Sequence, residues 1–121
     1  MVGNLAGARP SDGSLHLLRR EDSVWRLDRD VLVGLLISTE HLTAGTLTVP
    51  AGRASLEESH DGEELVYVTR GELEVEAAGV EATLGPGDAF FVPSATAHRY
   101  GATAAGVAEA VFGVAPSFGP A

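Results

Sequence analysis

Between Glu64 and Val114 the chain is a succession of short apolar runs, each closed by a glycine or proline turn, a pattern that leaves little but an antiparallel β fold open to it. The clearest run is Glu72-Leu73-Glu74-Val75-Glu76-Ala77. It alternates strictly, so Leu73, Val75 and Ala77 share one face of a strand and three glutamates share the other. Ala78-Gly79 turns the chain into Val80 to Leu84, and Gly85-Pro86-Gly87-Asp88 turns it again. Ala89 to Val92, Ala97 to Tyr100 and Val107 to Val114 follow as strands, and Glu64 to Val68 precedes the turn at Arg70-Gly71. Upstream, Leu15 to Leu18, Val24 to Leu27, Val31 to Ile37 and Thr43 to Val49 have the same character, the last ending at Pro50-Ala51-Gly52. No segment carries a 3.6-residue period. About eight or nine short strands at this spacing predict an all-β sandwich or closed barrel. Its core is expected to hold Leu47, Val49, Leu65, Val66, Val68, Leu73, Val75, Leu84, Phe90, Val92, Val111 and Val114.

A length of 121 residues suits one domain. Residues 1–14, rich in Gly, Ser and Ala without a period, are expected to be a flexible N-terminal segment, leaving 15–121 as a single barrel domain. There is no cysteine, which excludes disulfides, thiolate metal sites and thiol nucleophiles. Any metal must be held by histidine and carboxylate. The formal net charge is -9, and the basic residues, all arginine, form no stripe, so nucleic acid is not an expected partner. No apolar run approaches the length of a membrane span and Met1 to Ser14 do not resemble a secretory signal, so a cytoplasmic location without membrane contact is expected.

Chemistry is concentrated in Glu57-Glu58-Ser59-His60-Asp61-Gly62-Glu63-Glu64. Taken alone, such a run is as readily a solvated acidic loop as a site. Glu58 and His60 are two apart, which in a strand puts both on one face. Glu64 follows across the Asp61-Gly62 turn and can return to the same interior, and His98 arrives from a separate segment. Two imidazoles and at least one carboxylate in one cavity would make the 2-His-1-carboxylate set, which suits non-haem Fe(II) and also accepts Mn(II), Ni(II), Co(II) or Zn(II). Glu57, Asp61 and Glu63 read as surface charge, and His16 and His41 have no such context.

These spacings resemble those of a small single-domain cupin. Gly52, Glu58 in place of the first histidine, His60, Glu64 and Gly71 fall at the offsets of the first cupin motif. Gly87, Pro93, Ala95 in place of glycine, His98 and Ala102 in place of asparagine fall at those of the second. The resemblance implies a jelly-roll β-barrel of antiparallel strands, a divalent metal held by His60, Glu64 and His98, and a homodimer. It is less specific for activity, since similar proteins include dioxygenases, isomerases, cyclases, decarboxylases, lyases and non-catalytic binding proteins. Glu58 is either a fourth ligand or, off the metal, a general base beside a Lewis acid. Fe(II) is the metal favoured, and a non-haem oxygenase acting on a small organic molecule is the leading expectation. A redox-neutral isomerase, cyclase or lyase and a non-catalytic small-molecule-binding cupin are the rivals.

Tyr100, two residues beyond His98, shares its face, where the hydroxyl is either catalytic or packed against a buried partner. Arg53, beside the motif glycine, is a candidate clamp for a substrate carboxylate. Tyr67 and Phe90, with Phe91 and Trp25, are candidates for lining a pocket, although aromatic residues on strands are more often core. The acidic site should disfavour polyanionic substrates.

Overall fold

The computed structural model describes residues 13–116. Among the described residues a 3-10 turn over Arg20–Asp22 precedes nine strands: β1 (Val24–Asp28), β2 (Val31–Ser38), β3 (Thr43–Val49), β4 (Glu63–Arg70), β5 (Leu73–Ala77), β6 (Val80–Leu84), β7 (Ala89–Val92), β8 (His98–Ala102) and β9 (Ala108–Ala115). They form a six-stranded sheet in the order β1-β2-β3-β9-β4-β7 and a three-stranded sheet in the order β6-β5-β8, with every pairing antiparallel. Buried residues of both sheets belong to one apolar cluster, the expected jelly roll. Among the described residues no helix is long and apolar enough to cross a membrane.

Register organises the interior into rows, because residues directly opposite in antiparallel strands face the same side. Val31, Val49 and Ala108 form the first row of the large sheet, and Val33, Leu47, Ala110 and Val68 the next. Leu35, Phe112, Val66 and Phe90 follow across β2, β9, β4 and β7. The final row, at the strand ends, is Ser38, Thr43, Val114, Glu64 and Val92. Opposite them the small sheet contributes Leu73 with Ala102, Val75 with Tyr100, and Ala77 with His98. The polar residues are therefore gathered at one rim of an apolar interior.

Three expectations need correction. Leu65 and Val111 are not core but 52% and 42% exposed. A strand alternates, so once Glu64, Val66 and Val68 point inward Leu65 must point out, and Val111 is likewise the outward neighbour of Ala110 and Phe112. Leu84 and Phe90 are partly buried and pack against the core rather than within it. Leu15 to Leu18 is not a strand, and Leu15 and Leu17 are fully or largely exposed. Most of the expected flexible segment 1–14 lies outside the described residues.

Candidate metal centre

The segment from Arg53 to Glu58 runs along the edge of β8. Ala102 N–H donates to Arg53 O at 2.9 Å and Ser55 N–H to Tyr100 O at 2.7 Å. Glu58 and His98 exchange both backbone hydrogen bonds, at 3.1 and 2.9 Å. Between these contacts the buried hydroxyl of Ser55 accepts from Tyr100 N–H at 3.0 Å and donates to Leu56 O at 3.0 Å, holding the irregular stretch on the strand. Glu58 and His98 are thus opposite one another and face the same way.

His60 follows, and the chain reverses at Asp61-Gly62. Gly62 has φ +93° and a Cβ there would lie 2.5 Å from Pro116 O, so both dihedral and space require glycine. The reversal is clamped by the Pro93–Thr96 turn: Gly62 N–H donates to Ser94 Oγ at 3.0 Å and Ala95 N–H to His60 O at 2.8 Å. Ala95 has φ +58°, a left-handed conformation that favours glycine over a residue with a Cβ. Glu64 then enters β4 pointing inward and is fully buried between Val92 and Val114.

Three donor groups converge. One ligand atom each from His60, Glu64 and His98 lies within 4.8 Å of the others. His60 Nε2 is 3.2 Å from Glu64 Oε1, and the two imidazoles meet edge to face with ring centroids 5.0 Å apart. His98 Nδ1 lies 2.8 Å from Thr96 O. A carbonyl can only accept, so Nδ1 carries a proton and, in the neutral ring, Nε2 presents its lone pair. Among the described residues that buried Nε2 has no hydrogen-bond partner; its neighbour is Glu64 Oε2, at 3.4 Å. A lone pair facing a carboxylate oxygen is repulsive unless a proton or a cation stands between them. The donor set therefore fits a divalent ion, with the backbone contact of His98 fixing the tautomer needed for ligation.

Burial by itself raises the Glu64 pKa, but the His60, His98 and Tyr100 side chains around the carboxylate overcome it and bring the carboxyl down to about 2. Burial acts to lower His98, and the adjacent Glu64 carboxylate outweighs that effect, leaving its pKa raised. The Tyr100 hydroxyl, buried and donating to Glu64 Oε2, is pushed far above the ordinary phenol value. It is a fixed donor near neutral pH.

The other candidates divide. Glu58 is half-buried on the inner face opposite His98 but is not one of the three converging groups. Phe90 faces inward, one row below Glu64. Tyr67, expected to line the pocket, instead points outward and is 45% exposed, since it has the opposite parity to Glu64 on β4. Arg53 is exposed and sits 3.8 Å from Asp30, in the β1–β2 turn. That turn adjoins Val31, at the far end of β2 from Ser38, so Arg53 is not at the rim that carries the metal cluster. Ser55, Ser94 and Thr96 carry no sequence signal that marks them for the site: Ser55 and Ser94 act through hydroxyl contacts to backbone groups and Thr96 through its carbonyl. An open groove of about 510 Å³ lies on the outer side of the small sheet among Glu74, Glu76, Glu81 and Arg99, and shares no residue with the cluster.

The family described as Cupin domain matches residues 45–113, more than half of the chain. No match is found among curated protein sequences. Among solved structures, KdgF from Halomonas sp. is 23% identical, with 85% of this chain and 94% of that one covered and a TM-score of 0.74. An RmlC-like cupin from Shewanella frigidimarina is also 23% identical, covering 86% and 93% with a TM-score of 0.75. A predicted oxalate decarboxylase from Thermotoga maritima is 18% identical, covering 83% and 98% with a TM-score of 0.72. At these identities the likeness concerns the fold.

Proposed function

This chain belongs to the cupin domain family, and from that premise we propose that it is a metal-dependent enzyme acting on a small organic metabolite at the rim of the jelly roll. The observation that carries the reading is the convergence of His60, Glu64 and His98 within 4.8 Å, with the His98 tautomer set for ligation. Three protein donors leave coordination positions for substrate, and a bound divalent ion supplies polarisation of substrate oxygens, with redox chemistry towards dioxygen if it is Fe(II). We favour Fe(II) and an oxygenase.

His60, Glu64 and His98 hold the ion. Tyr100 orients Glu64 through its hydroxyl and is not the proton carrier, because that hydroxyl stays protonated. Glu58, on the same face as His98 but outside the converging set, is the group placed to move a substrate proton. Phe90 supplies an apolar wall below. Tyr67 has no part in binding, and its outward face is proposed instead to meet a second copy of the chain.

Elemental analysis of protein prepared without a metal-affinity tag tests this reading. Stoichiometric metal in the wild type and in Glu58→Gln, with loss in His98→Ala, is expected; a wild type that neither carries nor takes up metal overturns it. A redox-neutral isomerase, cyclase or lyase uses the same three ligands, and full turnover under strict anaerobiosis would favour it over the oxygenase.

A further inference from the structure

β2 alternates inward at Val31, Val33 and Leu35, which would bring Ile37 into the interior next. It does not, because the register shifts between Leu35 and Ile37: Leu35 pairs with Gly45, Ile37 with Ala44 and Ser38 with Thr43. One extra residue is accommodated, and Ser38 rather than Ile37 ends the inward face. Ser38 and Thr43 are 2% and 0% exposed, and their hydroxyls are 2.7 Å apart. The inward positions before them on β2, and Leu47 and Val49 on β3, are apolar. The irregularity thus places a hydroxyl where the strand's own period would have placed isoleucine.

This pair lies in the same cross-sheet row as Glu64, with Val114 between. Thr43 and Glu64 are two strands apart, about 10 Å at the backbone. Two hydroxyls carry two protons, and their mutual hydrogen bond uses one. Among the described residues the second proton has no acceptor.

We infer that Ser38 and Thr43 form a second anchor of the substrate site, donating a hydrogen bond to an oxygen of a ligand whose chelating end is held at His60, Glu64 and His98. Val114 is the apolar floor between the two ends. The substrate class follows: a short, bifunctional oxygenated metabolite with a chelating group at one end and a carbonyl, carboxylate or hydroxyl oxygen at the other. This rests on the metal reading proposed above.

The test compares 2-oxoglutarate with 2-oxopentanoate, which have the same carbon chain and chelating group but end in a carboxylate and a methyl. Affinity is measured by calorimetry on the full chain loaded with Ni(II), with nickel stoichiometry determined in parallel. The wild type is expected to prefer 2-oxoglutarate by about three- to tenfold, the yield of one hydrogen bond. Ser38→Ala/Thr43→Val should abolish the preference while nickel content and 2-oxopentanoate affinity stay unchanged. Thr43→Ser, which keeps a hydroxyl, should retain it. The variants alter no charge, so a purely electrostatic preference would survive them and overturn the inference, as would equal affinities in a nickel-loaded wild type. A wild type that takes up no nickel overturns the metal reading and this inference together.

Discussion

The Tyr100 hydroxyl donates its hydrogen bond to Glu64 Oε2, the carboxylate oxygen that also faces His98 Nε2 at 3.4 Å. His60 engages the other oxygen, so both are held before any metal arrives. Tyr100→Phe should leave the ring packed and remove one charge-assisted bond from a buried carboxylate. We predict a loss of about 1.5–3 kcal/mol in denaturant unfolding of chelator-treated protein. Metal affinity should weaken about 10- to 100-fold in competitive titration. Unchanged affinity would show that Tyr100 is only a core residue.

Stability of the chelator-treated protein should depend on pH on both sides of a plateau. Glu64 is depressed from 4.5 to about 2, so its contribution is present above pH 4.5 and is lost as pH falls towards 2. At about 1.4 kcal/mol per unit, this is of order 3 kcal/mol. His98 is raised above 6.5, so its contribution is full below 6.5 and is lost as pH rises through the folded-state value. Unfolding free energies should therefore peak between pH 4.5 and 6.5. Metal binding competes with protonation of His98, whose charged form the adjacent Glu64 carboxylate favours, so metal affinity should rise with pH. A stability maximum well above neutrality would contradict this.

Ala95 is exposed and holds φ +58° while its N–H secures His60 O. Relief of left-handed strain, about 1–2 kcal/mol, exceeds the extra chain entropy of glycine, about 0.5–1 kcal/mol. Ala95→Gly should raise stability by about 0.5–1 kcal/mol in denaturant melts without changing metal content. A lower midpoint would mean that the alanine methyl makes a contact of its own.

Leu65, Tyr67, Phe91 and Val111 form an outward apolar patch on neighbouring strands of the large sheet, each more than 40% exposed. We predict a homodimer by light scattering, and a folded monomer for Tyr67→Arg/Phe91→Glu. A monomeric wild type would remove the proposed interface.

Much of the architecture could be read from composition and punctuation. The alternation of Glu72 to Ala77 specified both a strand and its buried face, and β3, β6 and β7 lie where the turn residues place them. His60, Glu64 and His98 were identifiable because their offsets from Gly52, Gly71 and Gly87 are long and specific. Parity was harder in continuous apolar runs: Leu65-Val66-Tyr67-Val68 offers no alternation, so the burial of Glu64 is what turns Leu65 and Tyr67 outward. The irregularity that brings Ser38 inward was invisible for the same reason, since Leu35-Leu36-Ile37 is apolar throughout.

Local chemistry is written along the chain, because turn dihedrals, strand period and ligand type are properties of neighbouring residues. The Tyr100–Glu64 contact, the lone pair that His98 turns towards Glu64, the Ser38–Thr43 hydroxyl pair and the removal of Arg53 to the opposite rim all depend on register between distant strands. Register is chosen by the packing of two whole sheets, and a shift of one residue inverts every side chain on a strand.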